Sequence, residues 1–212
     1  MTTEEKQYGR DYYEGIIGKT SNNSQRNKNR LREILNIKKE GSLLEIGGGK
    51  GEFLRLAEEH FKIEGIDISE YAVDSSKGFL SGRIRRENIE RYELPKNKYD
   101  IVAAFNVLEH LSNPERVIKK IHNALKNEGL FIGSVPHNAT PVGWVYTELT
   151  KIFDPTHIST HPPDHWNSLF EATGFREIDY FGEIMLGKDF NVYLRNRFWK
   201  FISLNVVFQC VK

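Results

Sequence analysis

A glycine run between two apolar stretches carries the chemistry most open to inference here. It reads Leu43-Leu44-Glu45-Ile46-Gly47-Gly48-Gly49-Lys50-Gly51-Glu52-Phe53, where a strand-like stretch gives way to a helical pattern. Three ligand patterns compete for such a turn. A phosphate-gripping loop needs Gly-Lys followed by Ser or Thr, and Lys50 is followed by Gly51 and Glu52. The dinucleotide pattern needs glycines at offsets 0, 2 and 5; from Gly47 the last offset falls on Glu52, and from Gly49 on Leu54. Glu52 would also put a carboxylate at the helix N-terminus, where a pyrophosphate should sit. The pattern that does fit is acid-x-Gly-x-Gly-x-Gly, with Glu45, Gly47, Gly49 and Gly51. Glycine at alternate positions lets the backbone approach a ligand without Cβ clashes, and the nearby carboxylate favours a cation over a phosphate. S-adenosyl-L-methionine has an ammonium, a sulfonium and no phosphate, so it meets both conditions. A tight turn packed by its own glycines is the plainer alternative.

A second acid stands twenty residues after Gly47: Asp67, in the run GIDIS. An acid at the tip of the neighbouring strand can accept both hydroxyls of a ribose, although alone it would read as a helix cap. Histidines form the third group. His110 and His137 follow two predicted strands, and His157 opens the run His157-Ile-Ser-Thr-His161-Pro-Pro-Asp164-His165. Spacing of i, i+4, i+8 suggests a metal on a helix face, but Pro162 and Pro163 break such a helix. We therefore expect no metal site, with Pro163 in the first turn of a helix whose Trp166 packs in the core. His110, His137 and His157 are instead candidate general bases, with Glu109 behind them.

These residues need a frame, and the apolar periodicity supplies one. Residues 1–40 are polar; Leu31, Ile34 and Leu35 recur at helical spacing, with Arg30, Arg32 and Glu33 expected outside. Strands are predicted at Ser42–Ile46, Ile63–Ile66, Arg83–Arg86, Asp100–Phe105 and Leu130–Val135. Helices are predicted after Gly51, from Ser69 to Phe79 with Ser69 as cap, and from Pro114 to a stop at Glu128-Gly129. Strands alternating with helices imply a parallel α/β sheet. Residues 136–165 break the pattern with five of the seven prolines and four histidines, and read as an insertion or lid. A helix from Trp166 to Thr173 stopped by Gly174, then strands Phe175–Phe181 and Asn205–Val211, complete the chain. The resulting division is a single domain, 1–212: an N-terminal helical segment (1–40), a core (41–137), a lid or acceptor insertion (138–165) and a C-terminal helix with strands (166–212).

Composition bounds the setting. With 212 residues, 30 Lys+Arg, 29 Asp+Glu and a net charge of +1, the chain is neither a generally basic nucleic-acid binder nor a polyanion mimic. One cysteine, Cys210, excludes an intramolecular disulfide and a Cys-rich zinc module, and suits a cytoplasmic setting. No signal peptide is read at the start. The apolar tail from Phe198 to Val211, broken by Lys200, Ser203, Asn205 and Gln209, falls short of the ~20 apolar residues of a membrane span.

Five segments in order, EIGGGKG, GIDIS, ENIERYELP, YDIVAAFNVLEHL and LKNEGLFIGSVPH, resemble the class I S-adenosylmethionine-dependent methyltransferases, in particular the small-molecule group that includes ubiquinone-biosynthesis-like enzymes. The resemblance covers about residues 41–137. It implies a Rossmann-like, mostly parallel seven-stranded sheet with helices on both faces and the last strand antiparallel. It further implies that Gly47 and Gly49 line the methionine portion of the cofactor, with Glu45 oriented toward its amino group. Asp67 would hold the ribose, and Ile68 would border the adenine. Asn88, where the family commonly has Asp, would face the adenine amino group, and the Ile89 amide a ring nitrogen. Phe105 and Asn106 would stand beside the methionine end. Nucleobase and glutamine amino-methyltransferases carry Asn/Asp-Pro-Pro-Tyr/Phe at that place; this chain has Asn106-Val107-Leu108-Glu109, which favours a small-molecule acceptor.

The expected activity is methyl transfer from S-adenosyl-L-methionine to O, N or activated C of a small molecule, leaving S-adenosyl-L-homocysteine. It would work mainly by alignment and exclusion of water, with a general base needed only for a hydroxyl acceptor. Tyr12, Tyr13, Trp144 and Tyr146 could line the acceptor pocket. The alternatives are a non-catalytic cofactor-binding module and an RNA methyltransferase using Lys28, Arg30, Arg32, Arg195, Arg197 and Lys200 as a basic face. No nucleic acid is expected as partner, and the oligomeric state is left open.

Overall fold

A computed structural model describes residues 8–15, 24–80, 83–139, 143–145, 148, 156–186, 190–196 and 199–212. The N-terminal part carries α1 (Arg10–Glu14) and α2 (Ser24–Ile37). Then β1 (Ser42–Ile46), α3 (Glu52–Ala57), β2 (Lys62–Asp67), α4 (Glu70–Leu80) and β3 (Ile84–Arg86) follow in alternation. Next come β4 (Tyr99–Phe105), a short 3-10 turn (Leu108–His110), α5 (Pro114–Ala124) and β5 (Leu125–Pro136). The C-terminal part holds α6 (Pro163–Thr173), β6 (Arg176–Leu186), β7 (Phe190–Leu194), α7 (Trp199–Ile202) and β8 (Asn205–Val211).

The strands form one sheet in the order β3-β2-β1-β4-β5-β8-β6-β7. The first five are parallel, and β8 runs antiparallel between β5 and β6. The chain moves outward from β1 through β2 to β3 and then returns to place β4 on the other side of β1. That reversal opens a crevice at the carboxyl ends of β1 and β4, where ligands of such sheets bind. The central strands are buried on both faces, so they read as unbroken apolar runs. Alternate residues feed two cores. Leu44, Ile46, Val102, Ala104 and Phe131 pack toward α5 and α6 with Ile118, Trp166 and Phe170. Leu43, Ile101, Ala103, Leu130 and Ile132 pack on the other side with Ile34, Phe53 and Leu54.

The predicted elements are found, with three corrections. The sheet has eight strands rather than seven: β7, the sequence FNVYL, pairs with β6 at the edge. Its polar Asn191, not an apolar residue, takes a buried position, which masks the alternation a strand should show. Helix α5 ends at Ala124, and β5 begins at Leu125 before the Glu128-Gly129 pair. The opening of α5 is as expected, with Pro114 in its first turn and the Asn113 side chain accepting from the Arg116 amide at 2.9 Å. Arg30 and Glu33, expected on the outer face of α2, are buried. The face α2 turns inward is polar: Arg26, Asn27, Asn29, Arg30 and Glu33, with Ile34. Tyr146 and Arg197, and part of the 138–165 insertion, lie outside the described residues.

Candidate functional site

The site grows from the turn between β1 and α3. Gly47, Gly49 and Gly51 all have positive φ (70°, 53° and 85°), a region that L side chains seldom occupy. A Cβ on Gly47 would also lie 2.4 Å from Val107 Cγ2, so that position is closed to a side chain twice over. The turn is tied to β2 by the Gly47 and Gly48 amides, both donating to the Ile66 carbonyl (2.8 and 3.1 Å).

Asp67, at the end of β2, is buried and held in place from several directions. The Gly49 amide donates to its Oδ2 and the Ser69 amide to its Oδ1, each at 2.8 Å. The Tyr13 hydroxyl from α1 lies 3.4 and 3.5 Å from the two oxygens. Burial raises the Asp67 pKa, and the amide and hydroxyl donors offset only part of that rise. Segment 8–15 is fastened to the same corner, with Ser69 Oγ donating to the Tyr8 carbonyl at 2.6 Å. Ser69 Oγ also accepts the Ala72 amide, the cap expected for α4.

Glu45 points to the α2 side of the sheet. Its Oε2 is buried without a hydrogen-bond partner among the described residues, 3.4 Å from where a Gly48 Cβ would lie. Burial pushes this carboxyl up to about 8, although the Arg30 guanidinium opposes the shift. Arg30 itself lies over the Phe105 ring, 4.2 Å from the centroid.

The tips of β3 and β4 complete the rim. After β3, Asn88 Oδ1 accepts the Glu90 amide at 2.9 Å, and Ile89 is buried in the core beneath. Lys120 of α5 fixes this loop by donating to the carbonyls of Ile89, Glu90 and Tyr92 (3.2, 3.1 and 2.9 Å). Asn106, just past β4, has φ 56°, and its Oδ1 accepts from Ser134 Oγ at 2.7 Å and from Arg26 Nη2 at 2.9 Å. Arg26 was missed in the sequence. The signal was the i, i+4 pair Arg26/Arg30 in line with Ile34, which marks one helix face.

The histidines separate. His110 and His157 come together, with ring centroids 4.7 Å apart; His110 Nδ1 lies 2.6 Å from Thr156 Oγ1. Glu109, fully buried, joins them: ligand-type atoms of Glu109, His110 and His157 all lie within 4.8 Å of one another. The segment carrying His157 is laid along the 3-10 turn by the Ser159 amide and hydroxyl, which donate to the Glu109 and Leu111 carbonyls (2.8 and 2.6 Å). His137 is not brought to this pair. It is buried, with Nδ1 3.0 Å from Ser203 Oγ, and burial lowers its pKa. His161 and His165 stack on each other beside Trp166, and Pro163 opens α6 as expected.

Of the residues read as a basic face for RNA, two are drawn into other contacts. Arg30 is buried, and Arg195 is bonded to Glu33 and Asp179. No helix of the described residues is long and apolar enough to cross a membrane.

The rim fits S-adenosylmethionine on its own terms. Three of its glycines have positive φ, the Asp67 carboxylate stands at the end of β2, and a Glu45 oxygen with no hydrogen-bond partner among the described residues lies beside the turn, a donor set suited to a cationic ligand without phosphate. A family model described as "Methyltransferase domain" matches residues 20–179. In sequence, the chain is 25% identical over 153 residues to the ubiquinone biosynthesis O-methyltransferase of Coxiella burnetii strain RSA 493, covering 66% of this chain and 65% of that protein, just under two thirds of the relative's length. In fold it is similar to a S-adenosylmethionine-dependent methyltransferase from Thermotoga maritima, described as a possible histamine N-methyltransferase (TM-score 0.77, 18% identity, all of both chains). It is similar also to one from Archaeoglobus fulgidus (TM-score 0.75, 22% identity, 95% of this chain and all of that one). With the family match spanning the glycine turn, Asp67, the tip of β4 and the histidine pair, the chain belongs to the methyltransferase domain family.

Proposed function

We propose that the chain transfers a methyl group from S-adenosylmethionine to a hydroxyl oxygen of a small molecule. The observation that carries this reading is the rim itself, where Asp67, the three positive-φ glycines and the partnerless Glu45 oxygen share one edge of the sheet. Asp67 would hold the ribose, Gly47 and Gly49 the methionine portion, and Glu45 the ammonium. Ile68, Asn88 and Ile89 would border the adenine, and Phe105 and Asn106 the methionine end. Arg26 adds the cation suited to the methionine carboxylate. Bound there, the sulfonium supplies an already activated methyl carbon. The chain's own work is to align the acceptor, exclude water and take its proton.

The histidine pair favours a hydroxyl over the other acceptors. His110 or His157 would take the acceptor's hydroxyl proton, with Glu109 steadying the cation so formed. The printed name of the Coxiella relative, an O-methyltransferase, supports an oxygen acceptor. The test is transfer of a labelled methyl group to a panel of phenols, catechols, amines and RNA. Label on a phenolic or catecholic oxygen is expected. Label on amines or RNA alone, or none from folded protein that binds S-adenosylhomocysteine, overturns the reading.

A pH dependence follows from Glu45. An ammonium binds the ionised carboxylate, and burial keeps this carboxyl protonated up to about 8. Affinity for S-adenosylhomocysteine should therefore rise by up to about tenfold per pH unit from pH 6 and level off above pH ~8. Calorimetric titration across this range checks it, and Glu45→Gln should flatten the profile.

A further inference from the structure

Behind the rim, Arg26 is locked in a buried ion pair with Glu183, a residue to which the reaction as read above gives no part. Glu183, on β6, takes Arg26 in a two-pronged grip: Nε donates to Oε1 at 2.8 Å and Nη2 to Oε2 at 2.5 Å. Side-chain exposure is 8% for Arg26 and 1% for Glu183. Asn191 of the edge strand β7 donates to Glu183 Oε1 at 2.9 Å, and Asn29 of α2 donates to Asn191 Oδ1 at 2.8 Å and to its carbonyl at 2.9 Å. Stability does not explain such a network, because an apolar replacement of similar volume commonly does as well as a buried ion pair. Direction offers a better account. Strand β6 is separated from β4 by β5 and β8. Yet through Arg26 the Glu183 carboxylate fixes a cation on Asn106 Oδ1, at the tip of β4.

We propose that Glu183 is a positioning residue for the amino-acid end of the cofactor. It orients Arg26 toward the methionine carboxylate, and the β6–β7 hairpin, with Asn191, is the part of the fold that builds this support. The proposal rests on the reading of Arg26 given above. It gives the edge strand β7 a supporting part in the cofactor site, although β7 does not border the rim.

Two ligands isolate this role: S-adenosylhomocysteine, and 5′-methylthioadenosine, which keeps the adenosine and thioether but lacks the amino-acid end. In calorimetric titrations Glu183→Gln should weaken S-adenosylhomocysteine about tenfold or more and methylthioadenosine less than about twofold. Glu183→Asp, which restores the charge, should recover most of the loss. Asn191→Ala keeps the ion pair and removes one support, so about a threefold loss confined to S-adenosylhomocysteine is expected. This milder variant decides the matter if Glu183→Gln does not fold. Equal losses for both ligands would reduce Glu183 to a structural residue. Unchanged or tighter S-adenosylhomocysteine binding would overturn the proposal outright. Failure of the wild-type chain to bind either ligand would instead count against the cofactor reading beneath it.

Discussion

Asp67→Ala is expected to weaken S-adenosylhomocysteine binding by about 100-fold or more. Each hydroxyl bonded to a charged carboxylate contributes about 1.5–3 kcal/mol, and a ribose diol offers two. The Asp67 oxygens are set in advance by the Gly49 and Ser69 amides, and the Tyr13 hydroxyl that lies beside both of them gives way to the diol. Asp67→Asn, which keeps the shape and one acceptor, should fall between the two. Methylthioadenosine should lose as much as S-adenosylhomocysteine, because both carry the ribose; this separates Asp67 from Glu183. Thermal melts give a second readout. At ligand 100 times Kd the wild type should gain about 2.7 kcal/mol of stability, and the alanine variant should gain almost none at the same concentration.

The second large effect is expected in turnover. His110→Ala and His157→Ala should each lower kcat by about 10²- to 10⁴-fold on a hydroxyl acceptor, the range a positioned base contributes. Affinity for S-adenosylhomocysteine should stay within about twofold, since neither ring is assigned to the cofactor. The two losses should not add, because the rings are in contact and serve one proton. Raising the pH should partly rescue both variants on an acidic phenol, whose oxygen then ionises without help. Alanine variants that retain full kcat would remove the pair from the mechanism and leave alignment alone.

The sequence disclosed the parts of the molecule where local chemistry and tertiary demand agree. The apolar runs of β1, β4 and β5 had to be strands buried on both faces, and Pro114, Ser69 and Gly174 marked helix ends through their own backbone and side-chain preferences. The spacing of Gly47, Gly49 and Gly51 marked a strand-to-helix turn, and all three adopt the positive φ that glycine allows. What escaped was polar burial. Arg26, Arg30 and Glu33 look like surface residues because charged side chains usually are. Long-range partners, Glu183 for Arg26 and Phe105 for Arg30, help to make their burial tolerable. Asn191 hid β7 for the same reason. The meeting of His110 with His157 was likewise out of reach, since 47 positions separate them and a loop fold, not a periodicity, brings them together.

The most direct test is a crystal structure of the chain with S-adenosylhomocysteine. The account predicts both ribose hydroxyls on the Asp67 carboxylate and the amino-acid end between the Gly47–Gly49 turn and Arg26. A ligand bound elsewhere, or a rim closed by the protein's own side chains with Asp67 turned away from it, would contradict it.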